Sequence, residues 1–207
     1  MYQRVIRPAA TAIGVGVLAT LLSLFTGLRA AGENSTTGPD VVDSIAYRSF
    51  QQGDCDLNIY VIKADGTGRT LLNDTCSQDL TPAWSPDGSK IAYARTFCCS
   101  VSFGIIMVMD ADGSNRIALT DDSHLSFNPT WSPDGSMIAY GSRSVQVGSK
   151  SDIFVMRSDG SDKVQITDND RTDGSPDWSP DGTMIAFVAV LDRDHREIHV
   201  VRPDGTG

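Results

Sequence analysis

Trp84-Ser85-Pro86-Asp87-Gly88 recurs letter for letter as Trp131-Ser132-Pro133-Asp134-Gly135 and as Trp178-Ser179-Pro180-Asp181-Gly182, at intervals of 47 residues. The register extends outward. Pro82, Pro129 and Pro176 keep step before the tryptophans, and Ile91-Ala92-Tyr93, Ile138-Ala139-Tyr140 and Ile185-Ala186-Phe187 follow them. An earlier Ile45-Ala46-Tyr47 stands without the tryptophan segment. A second apolar run comes next, at Ile59 to Ile62, Ile106 to Met109, Ile153 to Met156 and Ile198 to Val201, and each run leads to an Asp-Gly pair. A last short run, at Leu71-Leu72, Ile117 to Leu119 and Val164 to Ile166, returns to the next tryptophan. Tandem units of this length, made of short apolar runs and Gly-containing turns, are the signature of a propeller built from four-stranded antiparallel blades.

Each unit reads as strands a, b, c and d, with Pro-x-Trp on a, Ile-Ala-Tyr on b, the Ile-x-Val run on c and the short run on d. In Ser-Pro-Asp-Gly the proline's fixed φ suits the first central position of a type I turn, and the glycine can take the positive φ of a bulged hairpin. Strand c is apolar without a break, which predicts burial on both faces between neighbouring blades. Strand b alternates large with small, so Ile91 and Tyr93 should face one neighbour and Ala92 and Ala94 the other. The tryptophans then serve as packing anchors where blades meet. The structural repeat residues are thus Trp84, Pro86, Asp87 and Gly88, Trp131, Pro133, Asp134 and Gly135, and Trp178, Pro180, Asp181 and Gly182.

The segments Pro82 to Tyr93 and Ile106 to Gly113 resemble the WD-like propeller repeat of the TolB family, and the resemblance covers residues 43 to 205. It implies a propeller of TolB type, commonly six-bladed and found in cell-envelope proteins. Similar repeats also form the propeller that caps prolyl oligopeptidase-like catalytic domains, and they occur in some sugar lyases. Such a repeat identifies a scaffold, and a scaffold does not dictate function.

The expected class is all-β, with one N-terminal hydrophobic helix and about four blades in an incomplete, open propeller. Residues 1–32 read as a signal peptide or signal anchor, because Arg4 and Arg7 precede an uncharged stretch from Pro8 to Leu28. Residues 33–42 form a polar linker and 43–207 the repeats. The expected tally is fourteen strands, as three, four, four and three, since the first unit lacks strand a and the last lacks strand d. Unpaired blade edges of that kind suggest a piece of a longer reading frame.

The 17 basic and 26 acidic residues give a formal charge of −9, which disfavours nucleic-acid binding. Many of the acids sit in turns, where Asp serves local hydrogen bonding. Cys55, Cys76, Cys98 and Cys99 all fall in b–c or d–a loops, on one rim, and in an exported protein they are disulfide candidates with three possible connectivities.

Catalytic signals are weak. The histidines are His124, His195 and His199, and no Gly-x-Ser-x-Gly elbow occurs. Asp110 to Asn115 begins like a calcium loop, but the position where such a loop needs glutamate holds Asp121. No catalytic, metal or cofactor residue is assigned. The expectation is a non-enzymatic extracytoplasmic module, membrane-anchored or periplasmic, that binds a protein or peptide at the loop rim or central channel and meets the membrane only through its amino-terminal segment. Phe97, Val101 and Phe103 would give that rim an apolar patch. The alternative is the propeller portion of a hydrolase or lyase whose catalytic residues lie beyond Gly207. Calcium or small-ligand binding in the channel is a third possibility.

Overall fold

A computed structural model describes residues 44–50, 57–73, 77–97, 100–146, 148–192 and 195–206. The expected amino-terminal helix lies outside them. The described residues form fourteen strands, divided among four blades as the repeat anticipates. Blade 1 holds β1 (Ser44–Phe50), β2 (Leu57–Lys63) and β3 (Thr70–Leu71), corresponding to b, c and d. Blade 2 has β4 (Ser77–Trp84), β5 (Lys90–Phe97), β6 (Ser100–Asp110) and β7 (Ile117–Ala118). Blade 3 repeats it as β8 (His124–Trp131), β9 (Met137–Ser144), β10 (Ser151–Arg157) and β11 (Val164–Gln165). Blade 4 comprises β12 (Thr172–Trp178), β13 (Ile185–Val190) and β14 (Arg196–Val201). Pairing within every blade is antiparallel between sequence neighbours. Blades 1 and 2 touch through the single parallel bridge Leu57↔Gln78, and blades 2 and 3 through Gly104↔Leu125.

The core lies between blades. Ile91 and Tyr93 pack with Ala46, Ile59 and Leu72 of blade 1, whereas Ala92 and Ala94 pack with Trp131, Ile138 and Tyr140 of blade 3. The same division recurs one blade on, where Ala139 and Ile153 meet Trp178, Ile185 and Phe187. Ala92 and Ala94 are at most 1% exposed, so the small side chains let the neighbouring indole approach closely. The Trp131 indole N–H also donates to the Ala83 carbonyl of blade 2 at 3.1 Å.

Strand c departs from the expectation of uniform burial. Ile59, Ile106 and Ile153 are fully buried, yet their counterpart Ile198 is 76% exposed, and Val200 is open while Val155 is covered. The apolar run is the same in each case. Ile198 and Val200 lie on the face of β14 away from blade 3, and no described blade packs there.

The Ser-Pro-Asp-Gly turns close as type I turns followed by a glycine bulge. Gly88, Gly135 and Gly182 have φ of 68°, 72° and 71°, and each donates its N–H to the serine carbonyl three residues back at 2.9 Å. The serine hydroxyl donates to the aspartate at 2.6 Å and accepts the backbone N–H of Lys90, Met137 or Met184. That donation, with the Thr183 backbone N–H, holds the Asp181 carboxyl down at about 2. Asp87 and Asp134 are lowered for the same reason.

Strand a carries a bulge that the sequence reading did not foresee. Pairing shifts by one residue between Leu80 and Ala83, between Phe127 and Thr130, and between Gly174 and Asp177. The left-handed residues are Thr81, Asn128 and Ser175, at φ of 48°, 51° and 53°, each just before the repeat's proline. Asn128 donates its amide to the Ser175 hydroxyl at 3.0 Å, joining equivalent bulges of blades 3 and 4.

Two outcomes follow from this geometry. Gly113 has φ +86°, and an added Cβ would sit 2.4 Å from the Leu72 carbonyl oxygen of blade 1, whereas at Gly66, with φ +82°, it would meet nothing within 4 Å. Gly66→Ala should cost about 1–2 kcal/mol of backbone strain, and Gly113→Ala measurably more because two blades must also separate. Urea unfolding midpoints compare the two; equal losses would refute blade contact at this turn. The second concerns acid. Because the Asp181 value lies below the ordinary carboxylate range, its stabilisation is in place above about pH 4 and is lost as pH falls towards about 2. In a carboxyl NMR titration, Ser179→Ala should move the Asp181 midpoint upward and leave Asp134 unchanged.

Candidate functional site

Two rims result from the strand order. One carries the a–b and c–d turns, where the repeat is nearly invariant. The other carries the b–c and d–a loops, and there equivalent positions diverge.

On this second rim strand c of blades 1 to 3 depends on the second residue after strand d. The backbone N–H groups of Ile59, Ile106 and Ile153 donate to Asn73 Oδ1, Thr120 Oγ1 and Thr167 Oγ1, at 2.6, 2.8 and 2.9 Å. These acceptors are 47 residues apart and follow Leu72, Leu119 and Ile166, so the repeat register alone could have revealed them.

Next to Asn73 lies an ion pair whose carboxylate is buried. Asp79 of β4 is fully buried and stands opposite Arg95 of β5. Arg95 Nε and Nη2 donate to Asp79 Oδ1 and Oδ2, both at 2.8 Å, a bidentate fork, and Asn73 Nδ2 also donates to Asp79 Oδ2. The Asp79 bond raises the guanidinium further above its ordinary value. Arg95 also lies over the Tyr93 ring, 5.5 Å from its centre. Burial pushes the Tyr93 hydroxyl up to about 12, so it stays neutral at physiological pH.

The equivalent cross-strand pair in blade 3 is Ser126 and Ser142, whose hydroxyls lie 3.2 Å apart. In blade 4 it is Asp173 and Ala189. Asn169 Nδ2 donates to Asp173 Oδ2 at 2.8 Å, and Ser151 Oγ of blade 3 donates to the Asp173 carbonyl at 2.7 Å. Burial, followed by the charge of Asp173, raises the carboxyl of Asp152 on blade 3.

The sequence-derived candidates distribute as follows. Cys55, Cys76, Cys98 and Cys99 lie outside the described residues. The described residues flanking them, Leu57, Ser77, Phe97 and Ser100, lie at strand ends linked by the pairs Leu57↔Gln78, Ser77↔Phe97 and Phe97↔Ser100. The backbone places Phe97 at the end of β5 and Val101 and Phe103 in β6, while their side chains are outside the described part. Trp131 and Trp178 are buried between blades, and Trp84 packs against the core joining blades 1 and 2. Pro86 and Pro133 lie 3.6 Å from where a Cβ on Gly135 and Gly182 would be, stacking successive a–b turns. Pro180, with Asp181, belongs to the turn of blade 4.

The histidines do not converge. His124 Nδ1 is 2.9 Å from Ser123 Oγ, His195 lies 3.4 Å from Asp192, and His199 pairs with Glu197 at 2.9 Å. Asp110, from the calcium-loop comparison, is held instead by Lys90 at 2.7 Å and by the Asn115 amide at 2.7 Å. Among the described residues no group of three His, Cys, Asp or Glu side chains is arranged to hold a metal ion.

Stacked blades of three or four described strands, with a repeated turn side and a divergent loop rim, define a β-propeller repeat domain. Residues 100–205 match the TolB beta propeller domain family. The chain belongs to that family. Among solved structures, it is similar to a TolB-type protein from Agrobacterium tumefaciens, at 27% identity and a TM-score of 0.67, over 82% of this chain and 60% of that one. TolB from Acinetobacter baumannii shares the fold, with 21% identity, a TM-score of 0.62 and coverage of 79% and 40%. A curated relative, dipeptidyl-peptidase 5 of Porphyromonas endodontalis, is 36% identical over 59 residues, which is 28% of this chain and 8% of the peptidase. The chain therefore spans less than two thirds of each of these proteins. No helix of the described residues is long and apolar enough to cross a membrane.

Blade 3 suggests how the rim tolerates the loss of the ion pair. Arg95→Ser should cost about 3–5 kcal/mol by stranding a buried carboxylate. Adding Asp79→Ser, which copies Ser126 and Ser142, should recover most of that loss. A double-mutant cycle by chemical denaturation measures it, and simple additivity of the two losses would contradict the pairing.

Proposed function

We propose that this propeller domain is a non-enzymatic extracytoplasmic interaction module whose b–c and d–a loop rim, or the channel it surrounds, binds a protein or peptide. The observation that supports this most directly is the contrast between rims. The Ser-Pro-Asp-Gly turns keep the same hydrogen bonds in three blades, while on the other rim an Asp–Arg pair, a Ser–Ser pair and an Asp–Ala pair occupy equivalent positions. Packing demands explain the first rim. Selection for binding a partner explains divergence on a rigid frame at the second.

In this reading residues 1–32 direct export, as a cleaved signal or an anchor, and residues 33–42 tether the repeats of 43–207. The amino-terminal segment would be the sole membrane contact. Membership in the TolB propeller family supports an envelope location. Oxidising conditions there would pair Cys55, Cys76, Cys98 and Cys99, so thiol labelling of the exported protein should rise after reduction.

A second reading is favoured by the match to dipeptidyl-peptidase 5: the repeats would then belong to a hydrolase propeller, with catalysis residing in a separate domain. Photo-crosslinking distinguishes where partners bind. A crosslinker at Gln146, exposed in a b–c loop, should trap a specific protein from envelope extract, while one at Ser161, exposed in a c–d turn, should not. Equal trapping at both positions would remove the rim from consideration.

A further inference from the structure

The repeat lets the three blade-to-blade contacts at the loop rim be compared position by position. Between blades 1 and 2 the set is Asn58, Asn73, Asp79 and Arg95; between 2 and 3 it is Ile105, Thr120, Ser126 and Ser142; between 3 and 4 it is Asp152, Thr167, Asp173 and Ala189. The first set balances one carboxylate against one guanidinium, and the second contains no charge. The third contains two carboxylates, and Ala189, 1% exposed, stands where Arg95 does.

Asp173 is fully buried, and its Oδ1 has no hydrogen-bond partner among the described residues. Neither it nor Asp152 forms an ion pair among them. A buried carboxylate with an unmet oxygen is costly unless a cation or donor meets it. The Ser151–Asp173 bond brings the next residue, Asp152, to the same interface, where it is partly exposed and feels the charge of Asp173.

We propose that the junction of blades 3 and 4 receives a guanidinium group from outside the domain, carried by an arginine side chain of a peptide partner. The proposal rests on the rim being the binding surface and deepens it by naming the residue type recognised. Blade 2 supplies the intramolecular precedent, since a guanidinium meets the equivalent carboxylate on both oxygens. In blade 4 Asn169 already serves Asp173 Oδ2, so the guanidinium would bridge Asp173 Oδ1 and the Asp152 carboxylate. Its planar fork suits two acceptors on different residues better than the point charge of an ammonium. A metal ion fits less well, because among the described residues no group of three His, Cys, Asp or Glu side chains is arranged to hold one.

The test is calorimetric titration of the full chain with N-acetyl-arginine amide and with its neutral isostere, N-acetyl-citrulline amide. The arginine probe should bind at least about tenfold more tightly, and salt should weaken it. Asp173→Asn should reduce its affinity by about tenfold or more. Ala189→Arg, which supplies the cation within the chain, should abolish binding and raise the melting temperature. Equal binding of the two probes, no binding of either, or binding unchanged in Asp173→Asn would each overturn the proposal. The rim reading would survive those results, because trapping at Gln146 judges it independently.

Discussion

Contact between the alanine face of one blade and the indole-bearing face of the next is the constraint on which the rest of the structure depends. A three- or four-stranded sheet exposing apolar residues on both faces cannot stand alone in water. Here Ala92 and Ala94 admit Trp131, and Ala139 meets Trp178, so each blade is completed by its neighbour. Ile198 and Val200 show the converse, since the same apolar run stands in solvent where no described blade covers it. Stability of this kind is a sum over interfaces, and its sequence requirement repeats with every unit.

The remaining repeated features serve that stacking. The serine and aspartate of each a–b turn saturate the local backbone donors, and the turns stack with proline against the next glycine. Gly113, Gly160 and Gly205 bring each c–d turn against the carbonyl of Leu72, Leu119 or Ile166 in the preceding blade. The loop rim carries fewer such demands. One acceptor per blade, Asn73, Thr120 or Thr167, must hold strand c, and the positions beside it can change polarity and charge without loosening the core. A rigid frame with permissive positions along one edge is well suited to recognition.

Much of this was legible in the chain. Exact recurrence of the tryptophan pentapeptide showed the turn type and three of the blades, the apolar runs in step with it showed the strand order and the first blade, and the large–small alternation of strand b showed the facing of Tyr93 and Ala94. Each histidine pairs with a near neighbour in sequence, Ser123, Asp192 or Glu197. Less legible was the burial of strand c, because the same run is covered in blades 2 and 3 and open in blade 4. Burial there depends on what packs against the sheet, and the strand's own residues do not encode that.

The sequence by itself determined the blades, since repeating apolar runs and Pro-Asp-Gly turns leave antiparallel sheets as the arrangement that buries them. Only the tertiary structure decided which polar groups meet. Counted from the a–b turn, where Trp84 faces Ile91, Asp79 would lie opposite Thr96; the bulge at Thr81 shifts the register so that it faces Arg95. A one-residue slip moves a side chain to the other face of a sheet. The bulge therefore sets Asp79 against its cation, and by the same shift sets Asp173 against Ala189. At blade 3 that left-handed residue, Asn128, is tied to Ser175 of blade 4, so the charge pattern of the rim belongs to the assembled blades.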